Sequence, residues 1–216
     1  MQAGGNRFGK WAQSLRALVL LFCALCAMNA YSASKTILVL GDSLSAGYGL
    51  QNGAGWVSLL EKRLQENRID AGVVNASISG DTTSGGRSRL PALLKKYQPD
   101  LMILELGAND GLRGLSLQST EDNLRSMIDS AQKAGARVLL LGMQIPPNYG
   151  PDYTRRFAQL YPKLAAERKT ALVPFFLDGV AERADLFQSD RLHPTAAAQA
   201  MLLDTVWPRL YPLLSK

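Results

Sequence analysis

Short apolar runs punctuate the chain at residues 37–40, 72–74, 101–106, 138–141 and 171–173. They are rich in Val, Ile and Leu and show no alternation of polar and apolar positions, the pattern of strands covered on both faces. Between them the period changes. Trp56, Leu59, Leu60 and Leu64 recur at spacings of three to four, as do Leu90, Leu93 and Leu94, which predicts helices. Further helices are expected over 121–133, 152–167 and 195–213. Strands alternating with helices imply right-handed βαβ crossovers. The predicted fold is a three-layer α/β/α domain around a five-stranded, doubly wound, flavodoxin-like parallel sheet in the order 2-1-3-4-5. Beyond residue 34 there is no internal repeat, low-complexity tract or linker, so residues 33–216 are expected to form one domain.

The first 32 residues have a different pattern. Arg7, Lys10 and Arg16 precede an apolar run over 17–28, and Ala30-Tyr31-Ser32 offers a small-x-small cleavage site. This is the layout of a secretory signal peptide, with cleavage near Ser32/Ala33 and a periplasmic or secreted product. The apolar run is shorter than the about 20 residues of a comfortable membrane span, although an uncleaved anchor is the alternative. Both cysteines, Cys23 and Cys26, lie in this segment. They follow Phe22 and Leu25, not the small residue that precedes a lipid-modified cysteine. The mature chain then offers neither a disulfide nor a thiol nucleophile. Loss of the three basic residues takes the formal charge from +6 to +3. That balance points to no nucleic-acid partner and at most transient contact with a membrane surface. A monomer is expected.

Ligands of doubly wound sheets bind beyond the carboxyl ends of the strands, where strand order reverses. In the predicted order the loops after strands 1, 2 and 3 meet there. They read GDSLS (41–45), NASISGD (75–81) and GANDG (107–111). A serine hydroxyl needs a base to become a nucleophile, and the chain contains a single histidine, His193, in Asp190-Arg191-Leu192-His193-Pro194. If Ser43 is a nucleophile, His193 must be its base. Asp190, three residues earlier, is spaced to orient the imidazole as the acid of a triad does. Pro194 is expected to start the last helix. Acyl transfer also requires donors aimed at the developing oxyanion. Gly80, with no side chain, the Asn109 amide and the Ser43 N–H are the candidates. Taken singly, Ser43, Gly80 and Asn109 each read more readily as a cap or turn residue; their expected convergence is what favours chemistry.

In their order and content these blocks resemble the SGNH, or GDSL, hydrolases. Ser43 in GDSLS, Gly80 in SISGD, Asn109 in GAND and His193 in DRLHP match the four signature positions, and the likeness extends over nearly all of the chain after residue 35. NASISGDT, RLPALLK (89–95), LELGANDGLRG (104–114), QIPPNYG (144–150) and YPKLA (161–165) look like the periplasmic bacterial subgroup of multifunctional thioesterase/protease/lysophospholipase enzymes. The Gly-x-Ser-x-Gly elbow of the α/β-hydrolases is missing, since Ser43 lies between Asp42 and Leu44. The resemblance implies an acyl-enzyme on Ser43, a triad of Ser43, Asp190 and His193, and an oxyanion hole of Ser43, Gly80 and Asn109, with no metal or cofactor. It also implies a mobile loop over 111–115 that closes on the acyl chain. Leu112, Leu115, Ile145 and Pro146 are the expected lining of an acyl groove, which favours acyl esters, thioesters or lysophospholipids as substrates. Two other readings are a carbohydrate O-deacetylase on the same fold and a non-catalytic ligand-binding module.

The remaining polar residues have weaker claims. Asp42 is expected to accept backbone N–H groups in the turn after strand 1, and Asp81 and Asp110 to organise loops. Asn75-Ala76-Ser77 matches a glycosylation sequon but sits at a strand end. Glu105 is a lone charge in an apolar strand and must be paired, hydrogen-bonded or protonated.

Overall fold

The computed structural model describes residues 34–214; the predicted leader lies outside them. In chain order the elements are β1 (Lys35–Gly41), α1 (Ser43–Ala46), α2 (Trp56–Glu66), β2 (Ala71–Asn75), α3 (Thr83–Tyr97), β3 (Leu101–Glu105), α4 (Ala108–Leu112), α5 (Leu117–Lys133), β4 (Arg137–Leu141), α6 (Pro151–Arg168), β5 (Ala171–Val173) and α7 (Gln199–Leu214). The strands form one sheet in the order β2-β1-β3-β4-β5, every pair parallel. This is the predicted topology. Strand β1 sits between β2 and β3, with Ile37 opposite Val73 on one side and Leu101 on the other.

Burial explains why the strand runs do not alternate. Ile37, Leu38, Val39 and Leu40 are wholly buried, as are Met102, Ile103 and Leu104 and the run from Leu139 to Leu141. Helices α2 and α7 pack together on one side of the sheet, and α3, α5 and α6 pack in sequence on the other. Trp56, Leu60 and Leu64 of α2 turn into the core, with the Trp56 ring edge-on to Phe176 at 5.5 Å. Strand β2, at the edge, is only half covered. Side chains cap the helices that lead out of the loops. Thr82 accepts from the Gly85 N–H at the start of α3, and Ser116 from the Ser119 N–H at the start of α5.

Three expectations are corrected. Residues 43–46 and 108–112, read as loop, are short helices. Helices of four or five residues leave no periodicity to read, and Gly111 looks like a breaker although it is a buried helical residue against Ile145 and Phe157. The expected loop over 111–115 is therefore partly helix, only its end lying outside α4. Pro194 does not begin the last helix. It forms an antiparallel bridge with Phe187, Thr195 caps a single 3-10 turn over Ala196–Ala198, and α7 starts at Gln199.

Candidate active site

Asp42 caps the short helix α1, its Oδ1 accepting the Leu44 N–H at 3.0 Å, and Gly47 ends the helix in the left-handed conformation at φ 74°. Ser43 is thus the first residue of a helix, where the backbone N–H has no partner within the helix. Loop 75–81 continues the pairing of β1, with the Ala76 N–H donating to Val39 O and the Ile78 N–H to Gly41 O. Gly80 follows two residues later, and it is not among the residues lining the cavity described below. Gly80 adopts φ 78°, a conformation that favours glycine, and its carbonyl accepts from Arg113 Nη2 at 2.9 Å.

The distant end of the chain supplies the other half of the site. Asp190 Oδ1 accepts the N–H groups of Leu192 and His193 at 2.9 and 3.0 Å, an Asx turn that places Arg191 at φ 57°. Its second oxygen lies 2.7 Å from His193 Nδ1, and His193 Nε2 lies 2.9 Å from Ser43 Oγ. With Nδ1–H donating to the Asp190 carboxylate, Nε2 is left as the acceptor for the serine hydroxyl. The backbone donors of His193 and Leu192, then the imidazole, hold the Asp190 carboxyl down to about 2. Tyr48 covers the imidazole with ring centroids 4.4 Å apart. The histidine loop is tied to that tyrosine, because Gln188 Nε2 donates to Tyr48 O at 2.8 Å while the Gln188 N–H donates to His193 O.

Asn109 lies in α4, just past β3. Its Nδ2 donates to Asp42 Oδ2 at 3.1 Å and to Asp81 O at 2.9 Å. One side chain therefore joins the three loops that the strand order was expected to bring together. A cavity of about 860 Å³ opens beside this cluster and touches Ser43, Asn109 and His193. Leu112, Ile145, Pro146, Phe175 and Leu177 make its apolar wall. Leu115 is not among the lining residues; it is exposed, and its carbonyl accepts from Tyr153. Phe175 and Leu177, which follow β5, and Tyr48 were not singled out from the sequence. Nothing in their local pattern distinguishes them from ordinary packing residues.

The minor polar residues are placed as well. Glu105 is wholly buried, and its Oε2 accepts from Ser45 Oγ at 2.7 Å and from the Asp42 N–H at 3.3 Å. Asp110 accepts from the Thr83 N–H and hydroxyl and from Thr120, linking α4 to α3 and α5. Asp81 accepts from Arg89 and from the Thr82 N–H. Asn75 donates to Ser45 O and accepts from the Ser77 N–H, so its amide is occupied within the loop.

A parallel α/β sheet that presents a hydrogen-bonded Ser–His–Asp series beyond its carboxyl edge has the layout of a serine acyl hydrolase. Residues 39–201 match the GDSL-like Lipase/Acylhydrolase family, and the chain belongs to that family. It is 53% identical over 201 residues to Esterase TesA of Pseudomonas aeruginosa, an alignment covering 93% of this chain and 100% of that protein. It is 44% identical over 198 residues to Thioesterase 1/protease 1/lysophospholipase L1 of Escherichia coli K12, covering 92% and 93%. Among solved structures, the crystal structure of TesA superimposes with a TM-score of 0.81 at 55% identity, over 83% of this chain and 99% of that one.

Proposed function

We propose that the protein is a serine carboxylic ester hydrolase that cleaves acyl esters and thioesters through an acyl-enzyme on Ser43. The observation that carries this reading is the continuous series from Ser43 Oγ through His193 to Asp190, with spacings of 2.9 and 2.7 Å, beside an apolar cavity. Ser43 attacks the acyl carbonyl as His193 Nε2 takes its proton, and Asp190 holds the ring and stabilises the imidazolium. The Ser43 N–H, the Gly80 N–H and the Asn109 amide receive the oxyanion. The imidazolium returns its proton to the departing alcohol or thiol. The neutral imidazole then deprotonates the water that attacks the acyl-enzyme, and it returns that proton to Ser43 Oγ as the acyl–serine bond breaks and the acid leaves.

The apolar wall of Leu112, Ile145, Pro146, Phe175 and Leu177 supports the binding of an acyl chain. Relatives named esterase, arylesterase and thioesterase/lysophospholipase support the same substrate class. The basic and apolar pattern of residues 1–32 supports export to the periplasm followed by removal of that segment.

The test has two parts. An organophosphonate should label one residue, Ser43, stoichiometrically, with loss of ester hydrolysis; binding without labelling would make the domain a ligand-binding module. Rates across acyl-CoA, lysophospholipid and p-nitrophenyl esters of graded length should rise from acetyl to longer chains. A preference for acetylated sugar would select the deacetylase reading instead.

A further inference from the structure

Asn109 enters the proposed mechanism as an oxyanion donor, yet its amide nitrogen carries two hydrogens and the structure places two acceptors on it. These are Asp42 Oδ2 at 3.1 Å and Asp81 O at 2.9 Å. The orientation is unambiguous in chemical terms. Turning the amide over would set its oxygen against a carboxylate oxygen and a carbonyl. Asp42 thus does more than cap α1. One carboxyl oxygen fixes the helix that begins at Ser43 and the other fixes the amide that meets the oxyanion.

We propose that Asp42, itself held by Glu105, is a positioning residue that sets the Asn109 amide relative to the Ser43 turn, and that the Asp42–Asn109 hydrogen bond is the one shared with the developing oxyanion. The inference rests on Asn109 acting in the oxyanion hole as proposed above. Asp81 O accepts through the backbone of the loop that carries Gly80, so that bond keeps the two donors together. The Asp42 bond comes from the turn that moves with Ser43. Weakening it during attack lets the amide hydrogen turn towards the new negative charge without moving either loop.

Glu105 supplies the support. It lies wholly buried at the end of β3 and accepts both the Asp42 N–H and the Ser45 hydroxyl. Gly41 leaves room for it, since a Cβ there would stand 2.7 Å from Glu105 Oε2. Burial raises both carboxyls. Asp42 rises to about 6, restrained by the Leu44 N–H and by His193, and Glu105 rises well above its usual range, with the nearby Asp42 charge adding to burial. Of the two, Glu105 is the more deeply buried and Asp42 the one with a donor on its carboxyl from the backbone, the Leu44 N–H. A charged Asp42 is the stronger acceptor for the Asn109 amide.

A double-mutant cycle tests this. Asp42→Asn keeps an oxygen for the Leu44 N–H but turns an amide donor towards the Asn109 amide. It should lower kcat by about 10-fold or more with KM little changed, and cost nothing further in the Asn109→Ala background. Equal losses in both backgrounds would show that Asp42 acts independently of Asn109 and would overturn the proposal. A silent Asn109→Ala would instead remove Asn109 from the oxyanion hole, and this inference with it. If Asp42→Asn does not fold, side-chain amide NMR of the intact enzyme decides. Two slowly exchanging Asn109 Nδ2 protons support the arrangement, and rapid exchange of both with solvent overturns it.

Discussion

Asp190 is a carboxylate on an open loop, its side chain 37% exposed, yet three donors converge on it. Its folded value of about 2 lies below the ordinary 3.8. The stabilisation it provides is therefore present above about pH 4 and fades as pH falls from there towards 2. Asp190 stays charged at every pH where the enzyme is expected to work, so any loss of activity above about pH 4 arises elsewhere. Asp190→Asn should preserve the Asx turn and lower kcat by about 10³–10⁴ through the wrong imidazole tautomer, measured with a simple ester near pH 8. Asn109→Ala should lower kcat by about 10²–10³, the usual loss for one oxyanion donor; wild-type turnover in a folded variant would remove it from the mechanism. Tyr48 lies against an imidazole that would become cationic under the proposed mechanism. Tyr48→Ala should reduce kcat by about 2- to 5-fold, as loss of an exposed cation–π contact implies, while Tyr48→Phe should not.

Among the elements, α4 is the one whose position depends most on missing side chains. Gly107 precedes it at φ 117°, and a Cβ there would stand 2.4 Å from Tyr161 Oη, which donates to Leu106 O. A Cβ at Gly111 would stand 2.7 Å from Ile145 Cγ2 and 2.9 Å from a Phe157 ring carbon. Gly107→Ala should therefore destabilise the fold by about 1–3 kcal/mol, the scale of overpacking, in urea titrations, and should lower activity because Asn109 follows two residues later. The long elements were legible in the sequence. Doubly covered strands read as apolar runs, and α2 and α5 have enough turns to show a stripe. Helices α1 and α4 were not, because one turn of helix between glycines has the composition of a loop. The apolar wall of the cavity was half legible. Leu112, Ile145 and Pro146 line it, whereas Leu115 is diverted to the surface beyond the end of α4 and Phe175 and Leu177 arrive from a loop with no marker of its own.

For the whole molecule, what could not be read was partnership across sequence distance. Strand order could be anticipated from rules of connection, so the approach of the loops after β1, β2 and β3, which Asn109 joins through Asp42 and Asp81, was legible before any coordinates; His193 could be named only because it is the single histidine of the chain. The contact of Asp42 with Asn109, and of Glu105 with Ser45, depends on side-chain direction at points 67 and 60 residues apart, which spacing does not encode. The buried carboxyls also act on global stability. Asp42 rises to about 6 in the folded state, beside His193 and Asp81, from an ordinary 3.8. The folded protein therefore binds this proton more tightly than the unfolded chain, and the Asp42 contribution to stability falls as pH rises from about 4 to 6. The Tm of Asp42→Asn minus that of the wild type should accordingly climb across this interval and level off above it. A difference independent of pH would show that Asp42 does not titrate there.

Ser43 and His193 stand 150 residues apart, and the histidine loop is fastened down by Gln188, Thr195 and the bridge from Phe187 to Pro194. Under the proposed mechanism nucleophile and base meet only through contacts distant in the chain, so a change that loosens the 187–195 segment, far from Ser43 in sequence, would silence Ser43 without touching it.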